Sequence, residues 1–185
     1  MVTNKLLIKR YLANRTFRQS ALSSEKRVGG CGMQFLQQDC RATLREGLDE
    51  LYRNAPEVAE VSERKGKSFR DHDITHVLFG CDTSLEGEIL LKPWILFGTT
   101  ITMDEIKAYQ ADPEVQRLNQ EGIDMIGGRL KAYLLGFVYF FPLFFWIWLR
   151  RVRRMSHKWP HSEVSEEMLD TPLDQLRRDY GIQLY

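Results

Sequence analysis

The sequence predicts an all-α fold, a bundle of helices. Three observations carry that expectation. Apolar residues recur at helical spacing along most of the chain, no alternating run is long enough for a strand, and breakers such as Gly80 and Asp112-Pro113 separate the periodic segments. At 185 residues the chain suits one domain able to bury a real core. We divide it into a peripheral N-terminal segment, 1–30, and a single helical domain, 31–185.

Residues 1–24 hold no Asp or Glu but carry Lys5, Lys9, Arg10, Arg15 and Arg18. Leu6, Leu7, Tyr11 and Leu12 sit among them at loosely helical spacing. The segment fits a mitochondrial presequence or a surface-seeking amphipathic helix, and equally a poorly ordered terminus. "SSEKRVGGCG" then reads as a loop broken by Gly29, Gly30 and Gly32. Over 41–53, "RATLREGLDELYR" sets Leu44, Leu48 and Leu51 on one helical face. Pro56 opens a short helix, and "SERKGKS" reads as a polar connector. Further helices are expected at 70–79 and 84–97, then through "TMDEIKAYQA" and "PEVQRLNQEGIDMIGGRLKAY".

Residues 132–149, "AYLLGFVYFFPLFFWIWL", contain no charge. The block reaches the lower end of what crosses a bilayer, about 17 to 25 residues. Arg129 and Lys131 precede it and "RRVRR" at 150–154 follows, which would put the C-terminal side in the cytoplasm if it crosses. Three readings stand together: a transmembrane span, a helix half sunk in the membrane face, or the wall of a pocket for a long lipid. All three place the chain in contact with lipid.

The net charge of +1 gives no global electrostatic case for nucleic acid, and no nucleic-acid motif accompanies the basic clusters. Three cysteines, Cys31, Cys40 and Cys81, lack a CxxC pair, which argues against a disulfide framework or a zinc ribbon and for a reducing compartment.

The chemistry concentrates in "RDHDITHVLFGCDTSLEGEILL", residues 70–91. His72 and His76 are four apart, so their rings project from one helical face about 5–6 Å from each other, a spacing that suits two imidazoles on one ion. Gly80 is a natural helix stop, and Thr83 with Glu86 reads as a capping box that restarts the chain. That leaves Glu88 free for the site. His76 and Glu88 would stand at matched heights, ~6–8 Å from the turn, if two antiparallel helices fold there. On one unbroken helix they would be ~18 Å apart, too far to share an ion. Asp73, rotated about 100° from His72, is a ligand, a partner that orients a ligand, or a base. Two nitrogens and one or two carboxylates favour zinc and also admit magnesium, manganese or iron.

Rival motifs fit less well. A zinc protease carries Glu where this chain has Asp73, and the His-Asp phosphohydrolases need a histidine upstream of His72, where there is none. His157 and His161 share the four-residue spacing, but Pro160 breaks a helix there, so both are expected to be solvated or interfacial.

His72, Asp73, His76 and, after eleven residues, Glu88 form an H-D-x2-H-x11-E pattern that resembles the signature of the ubiquinone (coenzyme Q) biosynthesis family written Coq-four. "HVLFG", "GEILLK" and the tail "PLDQLRRDYGI" resemble the same family. The likeness is strongest over 70–98, fair over 172–182, thin over 40–69, and does not extend to 1–30 or 132–149. It implies a helical, membrane-associated, self-associating protein that binds a divalent metal through His72, Asp73, His76 and Glu88. It implies a polyprenylated quinone intermediate as ligand and the other ubiquinone-synthesis enzymes as partners. It further implies oxidative decarboxylation at C1 of the headgroup, with Asp73 and Glu88 as candidate catalytic acids or bases. The place implied is the matrix face of the mitochondrial inner membrane in a eukaryote, or the cytoplasmic face of the plasma membrane in a bacterium. A non-catalytic lipid-binding scaffold for the same enzyme assembly, and a membrane-bound zinc hydrolase, remain as alternatives.

Overall fold

The computed structural model describes residues 32–184, which are all-α; among them two isolated bridges, Thr43 with Pro172 and Thr99 with Trp159, are the only β pairings. The N-terminal segment expected to be peripheral or targeting, its loop glycines 29 and 30, and Cys31 lie outside the described residues. After a 3-10 turn at Gln34–Leu36, the chain forms α1 (Leu44–Asn54), α2 (Pro56–Lys65), α3 (Lys67–Leu78), α4 (Leu85–Gly98), α5 (Met103–Ala111) and α6 (Pro113–Ile126). There follow α7 (Arg129–Leu135), a π-helical turn at Gly136–Phe140, α8 (Phe141–Arg150), a 3-10 turn at Val152–Arg154, α9 (Glu166–Leu169) and α10 (Leu173–Tyr180). Contacts gather Gln34–Tyr185 into one compact unit.

Local chemistry sets the boundaries. Thr43 and Glu46 form a reciprocal capping box, so α1 starts at Leu44 rather than at residue 41. Pro56 occupies the first turn of α2, where its missing N–H costs nothing. The polar stretch expected to be a connector is helical on both sides of Gly66, whose φ of 82° allows an abrupt change of direction between Lys65 and Lys67. Gly80, at φ 61°, ends α3 as the sequence suggested. The restart differs from expectation. Ser84, not Thr83, caps α4, its hydroxyl accepting from the Gly87 amide, and Glu86 falls in the first turn.

The core forms where α3 is enclosed by α1, α2, α4 and α10. Leu44, Leu48 and Leu51 meet Ile74, Val77 and Leu78, all almost wholly buried. Gly47 brings α1 and α3 unusually close, for a methyl at that position would stand 2.5 Å from Val77 Cγ1. Phe79 stacks on Trp94 at 4.8 Å and 14°, joining the hairpin turn to α4.

Arg177, fully buried on α10, holds the C-terminal end of α3. Its guanidinium donates to the carbonyls of Leu78 (2.9 Å), Val77 (2.8 Å), Phe35 (2.6 Å) and Gln37 (2.5 Å). Two of these, Val77 and Leu78, lie at the C-terminal end of α3, where a cation is also favoured by the helix dipole. Burial lowers the Arg177 pKa to about 10, still leaving it charged at neutral pH. The tail therefore fixes the helix that carries the histidines.

Candidate metal centre

α3 presents His72 and His76 one turn apart, with ring centroids separated by 4.9 Å. α4 returns antiparallel to the height where Glu88 meets them. The Nε2 of His76 is 3.1 Å from Glu88 Oε1, and the Nε2 of His72 is 4.0 Å from Oε2. One donor atom from each residue falls within 4.8 Å of the other two. His72, His76 and Glu88 thus form a group that could hold a metal ion. Four donors at metal distances of ~2.1 Å would stand about 3.4 Å apart, so modest side-chain rotation suffices to close this set.

The support around the group is specific. His76 is 1% exposed, and its Nδ1 lies 3.2 Å from the Cys81 carbonyl. A proton held on Nδ1 leaves the Nε2 lone pair for a cation. His72 stacks on Tyr109 of α5 at 5.0 Å and 19°, and Phe69 packs against the same tyrosine at 5.0 Å. Glu88, by contrast, has a side chain 40% exposed, so one side of the group remains open to an incoming molecule.

Asp73 stands beside these three rather than among them. Its Oδ2 accepts from the hydroxyls of Ser62 (2.6 Å) and Tyr52 (3.0 Å), and its Oδ1 is 3.9 Å from His72 Nδ1. Of the readings left open for it, this placement favours the orienting partner. Tyr52, Ser62 and Tyr109 carried no signal in the sequence, because they reach the site from α1, α2 and α5 only through the fold.

Electrostatics couple the pair at the centre. Burial by itself would raise the Glu88 pKa, but the hydrogen bond and charge of His76, with the charges of His72 and Lys92, hold it at about 2. Burial opposes protonation of His76, yet Glu88 outweighs it through hydrogen bond and charge, and Asp73 and the Cys81 carbonyl add to the rise. Each group thus favours the charged form of the other, and a bound cation would take the place of a proton on Nε2 between them. Burial and the nearby carboxylates push the Tyr52 and Tyr109 phenols upward, and the Tyr52 hydroxyl donates to Asp73.

The other two histidines divide. His157 is exposed and packs on Tyr180 at 4.1 Å, as expected of an interfacial residue. His161 departs from expectation, being 6% exposed with an Nδ1 that has no hydrogen-bond partner among the described residues. Its segment is pulled inward by the Thr99–Trp159 bridge and by the His161 amide donating to Thr100 Oγ1 at 3.1 Å. Compared with protein-family models, curated proteins and solved structures, the chain finds no match in any of the three.

Proposed function

We propose that this chain is a metal-dependent, membrane-associated protein of ubiquinone biosynthesis, related to the Coq-four family, that acts on a polyprenylated quinone precursor. The observation that carries the proposal is the convergence of His72, His76 and Glu88, at the spacing of the family signature, on one half-open position between α3 and α4. Two imidazole nitrogens and a carboxylate suit zinc best, with magnesium, manganese or iron also compatible. When bound there, the cation would supply Lewis-acid polarisation of a headgroup oxygen.

The residues would divide the remaining work. His76, fixed by the Cys81 carbonyl, presents Nε2; His72 is held by Tyr109, with the Asp73 carboxylate set beside its Nδ1. Glu88, the most accessible of the three, would take or return a proton at a headgroup hydroxyl. The reaction proposed is C1 oxidative decarboxylation, in which the ring carboxylate leaves as carbon dioxide and a hydroxyl replaces it. That balance needs water to supply the hydroxyl oxygen and a two-electron oxidant, both from outside the chain, with two protons released, counted from the carboxylic acid.

The deciding experiment is metal analysis of the purified chain, followed by its assay on a prenylated hydroxybenzoate. We expect conversion by the native protein, and loss of conversion with retained lipid binding for His76→Ala. Full turnover by that variant would defeat the enzyme reading. A second reading is favoured by the origin of the three side chains on two helices: a bound ion staples α3 to α4 in a non-catalytic scaffold that presents quinone intermediates to neighbouring enzymes. On that reading Glu88→Ala lowers the melting temperature and complex assembly, and the native protein converts nothing.

A further inference from the structure

Residues 129–154 form a continuous apolar rod of 26 residues, mean hydropathy 1.8 over its most apolar stretch, long enough to cross a membrane. The rod has two unlike sides. Leu130, Leu134, Phe137, Phe141, Phe145 and Leu149 recur every three or four residues, and every one is exposed. Ala132, Gly136, Phe140, Phe144 and Trp148 are partly covered and Ile147 is buried, while Tyr133, Val138 and Trp146 widen the exposed side. The exposed side is as apolar as the covered one. Water is a poor environment for such a stripe.

Its attachment argues against a crossing. Its C-terminal half, α8 and the turn after it, packs on α4, where Phe97 in the last turn meets Phe144 and Trp148, both at 5.8 Å between ring centroids. Phe144 lies six residues, about 9 Å, before Arg150, so a perpendicular rod with Arg150 among the headgroups would draw the last turns of α4 into the hydrocarbon beside it. α4 exposes Lys92 five residues before Phe97. Charges at that depth are strongly disfavoured.

The charge pattern names the occupant of the free face. From 125 to 162 there is no Asp or Glu, while Arg129, Lys131, Arg150, Arg151, Arg153, Arg154 and Lys158 lie in that stretch. Among the described residues no carboxylate pairs with Arg150, Arg153 or Arg154, all exposed; Arg153 instead lies over the Trp148 ring at 5.5 Å. Unpaired cations beside an apolar stripe, with Trp146 exposed near it, match the interface of an anionic leaflet.

We propose that residues 129–154 are an in-plane membrane anchor, with the exposed apolar stripe sunk into one leaflet and Arg150, Arg153 and Arg154 on the phosphates of anionic lipids. The proposal rests on the reading of the chain as membrane-associated and fixes how that association is made. It also puts the Glu88 helix alongside the leaflet, where a prenylated molecule would travel.

The test adds purified full-length chain to preformed, sealed vesicles of phosphatidylcholine, with and without phosphatidylglycerol. We expect flotation with the anionic vesicles, weakened by salt, and a loss of partition of about fivefold for each of Arg150, Arg153 and Arg154 changed to Gln. In a Cys31→Ser background, Lys131→Cys and Lys158→Cys should both react with a membrane-impermeant maleimide added outside, without detergent. Reaction of only one until detergent is added overturns the in-plane seat and establishes a span. Flotation indifferent to phosphatidylglycerol overturns the headgroup contact while leaving membrane association intact. Failure to float with either vesicle, including a soluble dimer formed through this face, overturns both the anchor and the membrane reading.

Discussion

At the scale of single residues, the His76–Glu88 bridge determines how the site responds to pH. Glu88 has a depressed pKa, so its contribution to stability is present above its ordinary value of 4.5 and is lost as pH falls through about 2. His76 has a raised pKa, so its contribution is complete below the ordinary 6.5 and is lost as pH rises through the folded value above it. In a chelator the pair should therefore stabilise the fold most between roughly pH 4.5 and 6.5, with a melting temperature that declines on either side. Metal affinity should run the other way, rising with pH as the Nε2 proton becomes easier to displace. Thermal melts across pH, with and without zinc, read both trends. Identical profiles for the native chain and Glu88→Gln would contradict the assignment.

Arg177 makes a separate residue-scale case, because it touches no candidate ligand. Truncating it to Ala would take their donor from the carbonyls of Phe35 and Leu78 and one of two donors from Val77. The expected cost is about 3 kcal/mol or more, seen as a lower denaturant midpoint together with weaker metal binding from a loosened α3. Asp73 should behave more mildly. Asp73→Asn keeps an acceptor for Tyr52 and Ser62 but removes a charge beside His72, and we expect reduced metal affinity with little change in stability.

At the scale of elements, the hairpin makes the site possible. The Gly80 stop and the Ser84 cap set the phase of α4 relative to α3, and that phase decides whether Glu88 faces the rings. Ser84→Ala should cost about 1 kcal/mol and fray the first turn, the one that carries Glu88. α1 and α3 depend on a close approach instead. Gly47→Ala forces its methyl toward Val77, so destabilisation of about 1–3 kcal/mol is expected, checked by chemical unfolding and relieved in part by Val77→Ala. The sequence indicated these helices well where a face was apolar and the other polar, as with Leu44, Leu48 and Leu51. It was less informative for α3, which is buried on nearly every side and so lacks a contrasting face. Its start was accordingly placed three residues late.

At the scale of the whole molecule, a ligand bound across α3 and α4 should stabilise the entire unit, since those helices form the centre of its core. Zinc at about a hundred times its dissociation constant would add about 2.7 kcal/mol of stability. Melting in zinc and in a chelator measures the difference, and His72→Ala with His76→Ala should abolish it. A zinc effect that survives the double substitution would place the ion elsewhere.

What the sequence determined by itself was the helical class, the hairpin at Gly80 and the meeting of Glu88 with His72 and His76, all of which depend on spacing within about twenty residues; it counted Asp73 among the candidate ligands as well. Local geometry fixes such features: the rise and turn of a helix put residues four apart together, and a glycine stop brings the next helix back. Only the tertiary structure decided that Asp73 is engaged by Tyr52 and Ser62, that Tyr109 stacks on His72, that His161 is buried and that Arg177 closes α3. Each of those pairings, Asp73–Ser62 apart, joins residues more than twenty apart, and no periodicity encodes which side chain will arrive from a distant helix. Packing chooses among the arrangements that local rules permit.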